Sequence, residues 1–300
     1  MRSVITLLVD PAGPSLDPST ADRARDALAA AGAAAGPVDW LSPGVACDVP
    51  FEGVPEGAAE TAVRAALDGM PVDLAAQPAA GRRKRLLIAD MESTVIRQEM
   101  LDEIAAVAGI GPRIAEITRR AMNGELDFRA ALAERLALLK GIPVRVIDDL
   151  QSTITVMPGA AALVDTMRAA GARCLLVSGG FRVFTGPVAA RLGFHAEQGN
   201  VLEIADGRLT GRAVEPILDK DAKLMALNVA CAELGIGPVD AVAVGDGAND
   251  LPMLMAAGLG VAFRAKPAVA ATARIRVDHG DLTALLYLQG FRAGEIRAET

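Results

Sequence analysis

Aromatic residues are scarce in this chain, at 3% of 300 residues, with one Trp and one Tyr. A core built from a 52% hydrophobic composition must therefore be aliphatic, and the length suits two domains of ordinary size. Histidine is scarcer still, with two copies, His195 and His279, in no motif; both are read as structural or surface residues. The three cysteines, Cys47, Cys174 and Cys231, are too far apart for a zinc-type spacing or a disulfide framework. They are expected to be buried free thiols of a cytoplasmic protein. No stretch reaches the roughly 18 uncharged apolar residues of a membrane span, which argues against a membrane partner. The opening "MRSVITLLVDPAGP" is broken by Asp10 and reads as a first strand, not a signal peptide. An excess of positive charge is missing too. The net charge of −7 argues against a nucleic-acid partner, and the single basic run, "GRRKR" at 81–85, is read as a solvated linker.

What is present falls into two patterns. Residues 1–80 run strand, helix, strand, strand, helix, strand, with a helix at 19–32 capped by Ser19 and another at about 58–67. This order suits helices laid on one face of an antiparallel sheet. From residue 81 to 300, apolar strands "LLIAD", "CLLVSGG", "AVAVGDG" and "GVAF" alternate with helical stretches, which predicts an α/β fold with a doubly wound parallel sheet. Strandless helical patterns at about 97–155 read as a small cap inserted after the first of these strands. A hairpin is expected around "GNVLEIADGRLTGRAV", with Asp206-Gly207 as its turn.

The strands end on chemistry. The first ends at Asp90, with Glu92 two positions on; the second ends at Ser178-Gly179-Gly180; a later one ends in "GDGAND", which holds Asp246, Asn249 and Asp250. Ligands of open α/β sheets sit outside the carboxyl ends of the strands, so these groups should converge. Clustered Asp oxygens without His or Cys suit a hard cation such as Mg²⁺ and not zinc. Ser178 with the Gly179 and Gly180 amides, at a strand-to-helix turn, offers donors to an anion, and Lys223 can add a point charge. Cation, donors and a carboxylate nucleophile together point to phosphoryl transfer.

"DMESTV" resembles the first motif of the haloacid-dehalogenase-type phosphatases, Asp-x-Asp-x-Thr/Ser-x-Val. "VSGGF", Lys223 and "VGDGANDLPML" resemble their later motifs, in the same order. "RQEMLDEIAAVAG", "TRRAMNGELDF", "ERLALLKG" and "VAVGDGANDLPMLMAAGLGVAFRAKP" are similar to the phosphoserine phosphatases among them. The resemblance covers residues 84 to about 291. More loosely, the first 80 residues resemble the ACT-like domain of the longer bacterial forms.

The resemblance implies a Mg²⁺-dependent hydrolase of O-phospho-L-serine, the last enzyme of serine biosynthesis. Asp90 would be nucleophile and metal ligand, Asp246 a second ligand, and the main-chain carbonyl of Glu92 a third. Ser178, Gly179 and Lys223 would hold the phosphate with Asn249 near the departing group, while Gly180 and Asp250 would support them. Glu99 would meet the substrate ammonium, Arg135 its carboxylate, and Met122 and Phe128 would form an apolar lid. Taken without the motifs, Glu99 and Arg135 are equally ordinary surface charges, and Met122 and Phe128 ordinary core. The family pattern has Asp where this chain has Glu92, a departure that moves the acid–base carboxyl outward by a methylene. Two alternatives stand beside hydrolysis: phosphoryl transfer to homoserine, and a non-catalytic amino-acid sensor. Oligomeric state is unreadable in the residues, with a homodimer as the working expectation.

Overall fold

The computed structural model of the protein describes residues 3–122 and 125–297, apart from the side chains of Met122 and Lys220. The first seven elements are β1 (Ser3–Leu8), α1 (Pro18–Ala30), β2 (Ala34–Ala35), β3 (Asp39–Ser42), β4 (Ala46–Glu52), α2 (Glu56–Ala66) and β5 (Asp73–Pro78). Their sheet is antiparallel throughout. β1 lies between β4 and β5, and β2 and β3 both pair with β4. Side chains alternate between two dry faces. Ile5, Leu7, Val49, Phe51 and Leu74 pack with Ala24 and Leu28 of α1 and Val63 of α2. Leu8, Ala46 and Ala75 point the other way and join the core of the second sheet.

The first helix begins two residues earlier than the Ser19 cap implied. Asp17 is the N-cap, its Oδ1 accepting from the Thr20 amide at 2.8 Å, and Pro18 opens the helix. An Asp followed by Pro outcompetes Ser here because Pro has no amide to satisfy at the first helical position.

The remaining elements are β6 (Leu86–Ala89), α3 (Met100–Val107), α4 (Gly111–Met122), α5 (Phe128–Leu138), α6 (Arg145–Gln151), α7 (Ala160–Ala169), β7 (Arg173–Phe181), α8 (Arg182–Leu192), β8 (Ala196–Ala205), β9 (Arg208–Val214), α9 (Lys220–Leu234), β10 (Ala241–Gly245), α10 (Leu251–Ala256), β11 (Leu259–Phe263), α11 (Pro267–Ala270), β12 (Ile275–Val277) and α12 (Ala284–Leu288). Their strands form one sheet in the order β12-β11-β10-β6-β7-β8-β9, parallel except for the β8–β9 hairpin. The hairpin turns at Asp206 and Gly207, both with positive φ, 49° and 69°, as the Asp-Gly pair requires. α9 and α10 cover one face over Leu86, Ile88 and Ala243. α7, α8 and α12 cover the other over Leu87, Leu176 and Val244. The fold is thus doubly wound. Among the described residues, no helix is long and apolar enough to cross a membrane.

Helices α3 to α6 form the insert. Its two stems meet at an Ile96–Val156 bridge, with Arg97 N donating to Thr155 O at 3.0 Å and Met157 N to Val95 O at 2.8 Å. A second attachment runs along β9, where Gly141 N donates to Leu209 O and Leu209 N to Ile142 O.

The basic run at 81–85 is not simply solvated. Arg82 is half-buried, with Nη1 2.6 Å from Asp48 Oδ2 and further bonds to the Tyr287 and Leu288 carbonyls. Arg83 pairs with Glu295 and stacks over Phe291. Asp48 is the reason: a buried carboxylate on β4 has to find a cation, and the adjoining segment supplies it.

Candidate active site

The chain leaves β6 for β7 on one side and later returns to β10 on the other, so a crevice opens between β6 and β10 at their carboxyl ends. Asp90 sits at its mouth. Its amide donates to Val244 O at 3.0 Å, which extends the β6–β10 ladder by one residue and fixes where the side chain emerges. Asp246 follows β10 directly. Asp90, Asp246 and Asp250 are all buried, and each places one carboxylate oxygen within 4.8 Å of the others.

Gly245 and Gly247 flank Asp246 for a steric reason. A Cβ on Gly245 would meet the Asp250 carboxyl, and one on Gly247 would meet Asn249 Oδ1. The "GDGAND" turn is therefore folded tightly over its own polar side chains. Asp250 is anchored there by the Gly247 amide, which donates to Oδ2 at 3.0 Å.

Lys223 joins this cluster from α9, a helix capped by Asp219 through the Asp221 and Ala222 amides. Its Nζ lies 2.6 Å from Asp90 Oδ1 and 2.5 Å from Asp250 Oδ1. Burial alone would push the ammonium toward neutrality, but the Asp90 and Asp250 charges outweigh it and hold Lys223 protonated. Asp90 is raised well above the usual carboxylate range, by burial first and then by Asp250, against the pull of Lys223. Burial likewise raises Asp246, which Lys266 counters from 3.4 Å. Three buried acids gathered this closely, two of them raised, form an all-oxygen donor set that fits a hard divalent cation such as Mg²⁺.

Ser178, Gly179 and Gly180 lie on β7 where its register to β8 shifts, so the segment is an irregular strand end; α8 begins at Arg182. This corrects the simpler strand-to-helix turn. Gly180 N is already engaged, donating to Ser178 Oγ at 2.9 Å, which leaves the Ser178 hydroxyl proton to donate elsewhere. Asn200 Nδ2 donates to Gly179 O at 2.7 Å and braces the loop. Asn249 faces Gly179, its Nδ2 3.9 Å from where a Cβ would stand.

Glu92 is half-buried, with Oε1 accepting from the Met100 amide at the start of α3 at 2.9 Å. Its carboxyl also rests against Gly180. Burial, then the Glu99 charge, raise it to about 7, against the Met100 amide. A carboxyl poised near neutrality can both donate and accept a proton. Ser93, in the left-handed region at φ 55°, donates to Glu99 Oε1 at 2.8 Å and ties the loop after Asp90 to the insert.

The insert residues are less tightly gathered. Glu99 is exposed at the N-terminus of α3. Arg135 on α5 is half-buried, and its Nε donates to Ala131 O. Among the described residues no carboxylate pairs with its guanidinium, although Asp102, Glu92 and Glu99 surround it electrostatically; burial lowers it from its ordinary value. Phe128 opens α5 and is 39% exposed. The side chain of Met122 lies outside the described residues.

Lys266 and Asn200 belong to the site and were not marked by the sequence reading. For Lys266, its position just past the carboxyl end of a core strand, in "FRAKP", is a signal that could have found it.

Comparison with known proteins agrees with this geometry. The model of the haloacid dehalogenase-like hydrolase family matches residues 87–255. A phosphoserine phosphatase of Mycobacterium tuberculosis, SerB2, is 46% identical over 219 residues, covering 73% of this chain and 54% of its own; the chain thus spans about half the length of that relative. A phosphoserine phosphatase of Polaromonas sp. is 46% identical over 210 residues, covering 68% of this chain and 89% of its own. The crystal structure of a probable phosphoserine phosphatase from Vibrio cholerae, unliganded, superposes with a TM-score of 0.78 at 32% identity, over 98% of this chain and 88% of that one. The chain belongs to the haloacid dehalogenase-like hydrolase family.

Proposed function

We propose that the protein is a Mg²⁺-dependent phosphatase that hydrolyses O-phospho-L-serine to L-serine and phosphate, the closing step of serine biosynthesis. The observation that carries this reading is the Lys223 bridge between Asp90 and Asp250, set beside Asp246 at the β6–β10 crevice. The similar curated proteins carry the name of this activity.

Asp90, Asp246 and the main-chain carbonyl of Glu92 would hold Mg²⁺, whose charge offsets that of the phosphoryl oxygens. The Asp90 carboxylate attacks phosphorus, and the bond from phosphorus to the serine oxygen breaks. Glu92, protonated near neutral pH, gives its proton to that oxygen as it leaves. Water then attacks the aspartyl-phosphate, Glu92 takes its proton, and phosphate departs from a regenerated Asp90. Lys223 holds Asp90 in line and offers charge to the phosphoryl group, with the Ser178 hydroxyl and Gly179 amide as further donors. Arg135, free of any carboxylate partner among the described residues, suits the substrate carboxylate; Glu99 suits its ammonium.

Residues 1–80 are assigned as an ACT-like domain and residues 81–300 as the phosphatase domain, with the helical insert at about 97–155 as a cap. The strand pairing β3-β4-β1-β5, with α1 and α2 on one face, supports the first assignment.

Phosphate release from O-phospho-L-serine, with Mg²⁺ and with excess chelator, tests the proposal beside Asp90→Asn. Turnover that needs the metal and disappears in the variant is expected; folded protein without turnover would refute it.

A further inference from the structure

β11 is the parallel neighbour of β10, so its carboxyl end opens on the same side of the sheet as Asp246. Beyond Phe263 the chain turns sharply at Arg264, a non-glycine residue with φ of 43°, whose guanidinium bonds the His279 and Gly280 carbonyls. The turn delivers Lys266, and its amide donates to Asp246 O at 3.1 Å. Its Nζ stands 3.4 Å from Asp246 Oδ2.

The site's two ammonium groups differ in kind. Lys223 is 2% exposed and makes two short contacts, so releasing it would strand buried carboxylates. Lys266 is 60% exposed, with one long contact to an acid that is itself 8% exposed. Solvent is ready to receive the Lys266 head group, whose four-carbon stem leaves it free to swing. A divalent cation seated on Asp246 would repel it directly.

We propose that Lys266 is a displaceable counter-ion, which neutralises Asp246 in the metal-free protein and leaves that carboxylate when a divalent cation binds. It is a positioning residue, keeping Asp246 in place before the cation arrives at the expense of cation affinity. This rests on the reading of the carboxylate cluster as a cation site.

The test is calorimetric titration of Mg²⁺ into the chelator-stripped full chain, without substrate. Lys266→Gln should bind the cation about two- to five-fold more tightly than the unmodified protein, the range of a partly exposed ion pair. Lys266→Arg should leave the affinity unchanged, and the gain in Lys266→Gln should shrink as salt screens the pair. Lys266→Met, which retains most of the apolar stem, guards against a local defect in the amide variant and should match Lys266→Gln. Equal or weaker binding in both folded neutral variants overturns the role given to Lys266 and leaves the proposed function standing. Absence of Mg²⁺ binding in every form would overturn both.

Discussion

The carboxyl of Glu92 lies against the backbone of Gly180: a Cβ there would stand 2.8 Å from Oε2 and 3.0 Å from Oε1. The longer acid at position 92 fits because residue 180 has no side chain, and the Met100 amide fixes where its carboxyl comes to rest. Gly180→Ala should therefore displace the Glu92 carboxyl, the proposed acid–base group, while leaving the fold intact. The expected loss in kcat is roughly 10²-fold, the size of effect produced by a shift of about an ångström. Glu92→Asp withdraws the carboxyl by a methylene, so adding Gly180→Ala in that background should cost little further. Equal losses from Gly180→Ala in both backgrounds would mean that residue 180 acts by some route other than Glu92.

Glu92 also predicts a pH signature in stability. Its folded value, about 7, stands above the ordinary glutamate value of 4.5 expected in the unfolded chain, so the folded state binds more protons between these limits. Stability linked to this group is complete below about pH 4.5 and is lost as pH rises through 7. Glu92→Gln removes that loss. In chelator it should raise stability at pH 8 by about 2 kcal/mol, since solvent screens part of the effect at this half-buried group, and by little at pH 4.5. Urea titrations at the two pH values decide it, and an equal gain at both would remove the titration of Glu92 as the cause.

Lys223 supplies the third expectation. Lys223→Met leaves Asp90 and Asp250 buried together without their shared ammonium. Breaking a buried ion pair in this way costs about 3–5 kcal/mol. Mg²⁺ should restore part of the loss by returning positive charge to the cluster. Chemical unfolding with chelator and with Mg²⁺ measures both terms; an unchanged deficit in Mg²⁺ would argue against a cation beside these acids.

Much of this site is legible in the residues because strands of a parallel sheet must end somewhere polar, and Asp90, Ser178 and Asp246 each interrupt an apolar run. Lys223 is different. On composition alone it is one more helical lysine, and only motif order singled it out, since its burial depends on where α9 crosses the sheet. Lys266 depends on a single left-handed turn at Arg264, a conformation that residue type does not announce. Arg82 reads as solvated because its partner, Asp48, lies on β4, 34 residues earlier. The three-residue edge strand β12 is too short to show an alternation in the sequence and carries Arg276 at its centre. Contacts distant in sequence are what the linear pattern withholds.

Asp73 predicts how strongly the two sheets are joined. It is buried on β5, and its carboxylate accepts from three consecutive amides, those of Asp278 at 2.8 Å, His279 at 3.0 Å and Gly280 at 2.7 Å. No neutral side chain of similar size can accept from all three as well, because Asn offers one oxygen and a competing NH₂ group. Asp73→Asn should lower stability by about 1.5–3 kcal/mol, the range for hydrogen bonds to a charged group, and Asp73→Ala by more, since it leaves buried amides unpaired. Amide hydrogen exchange at 278–280 should quicken in both variants ahead of the sheet cores. Unchanged protection at these amides in a destabilised Asp73→Ala protein would assign the loss to β5 itself and not to the clamp between the sheets.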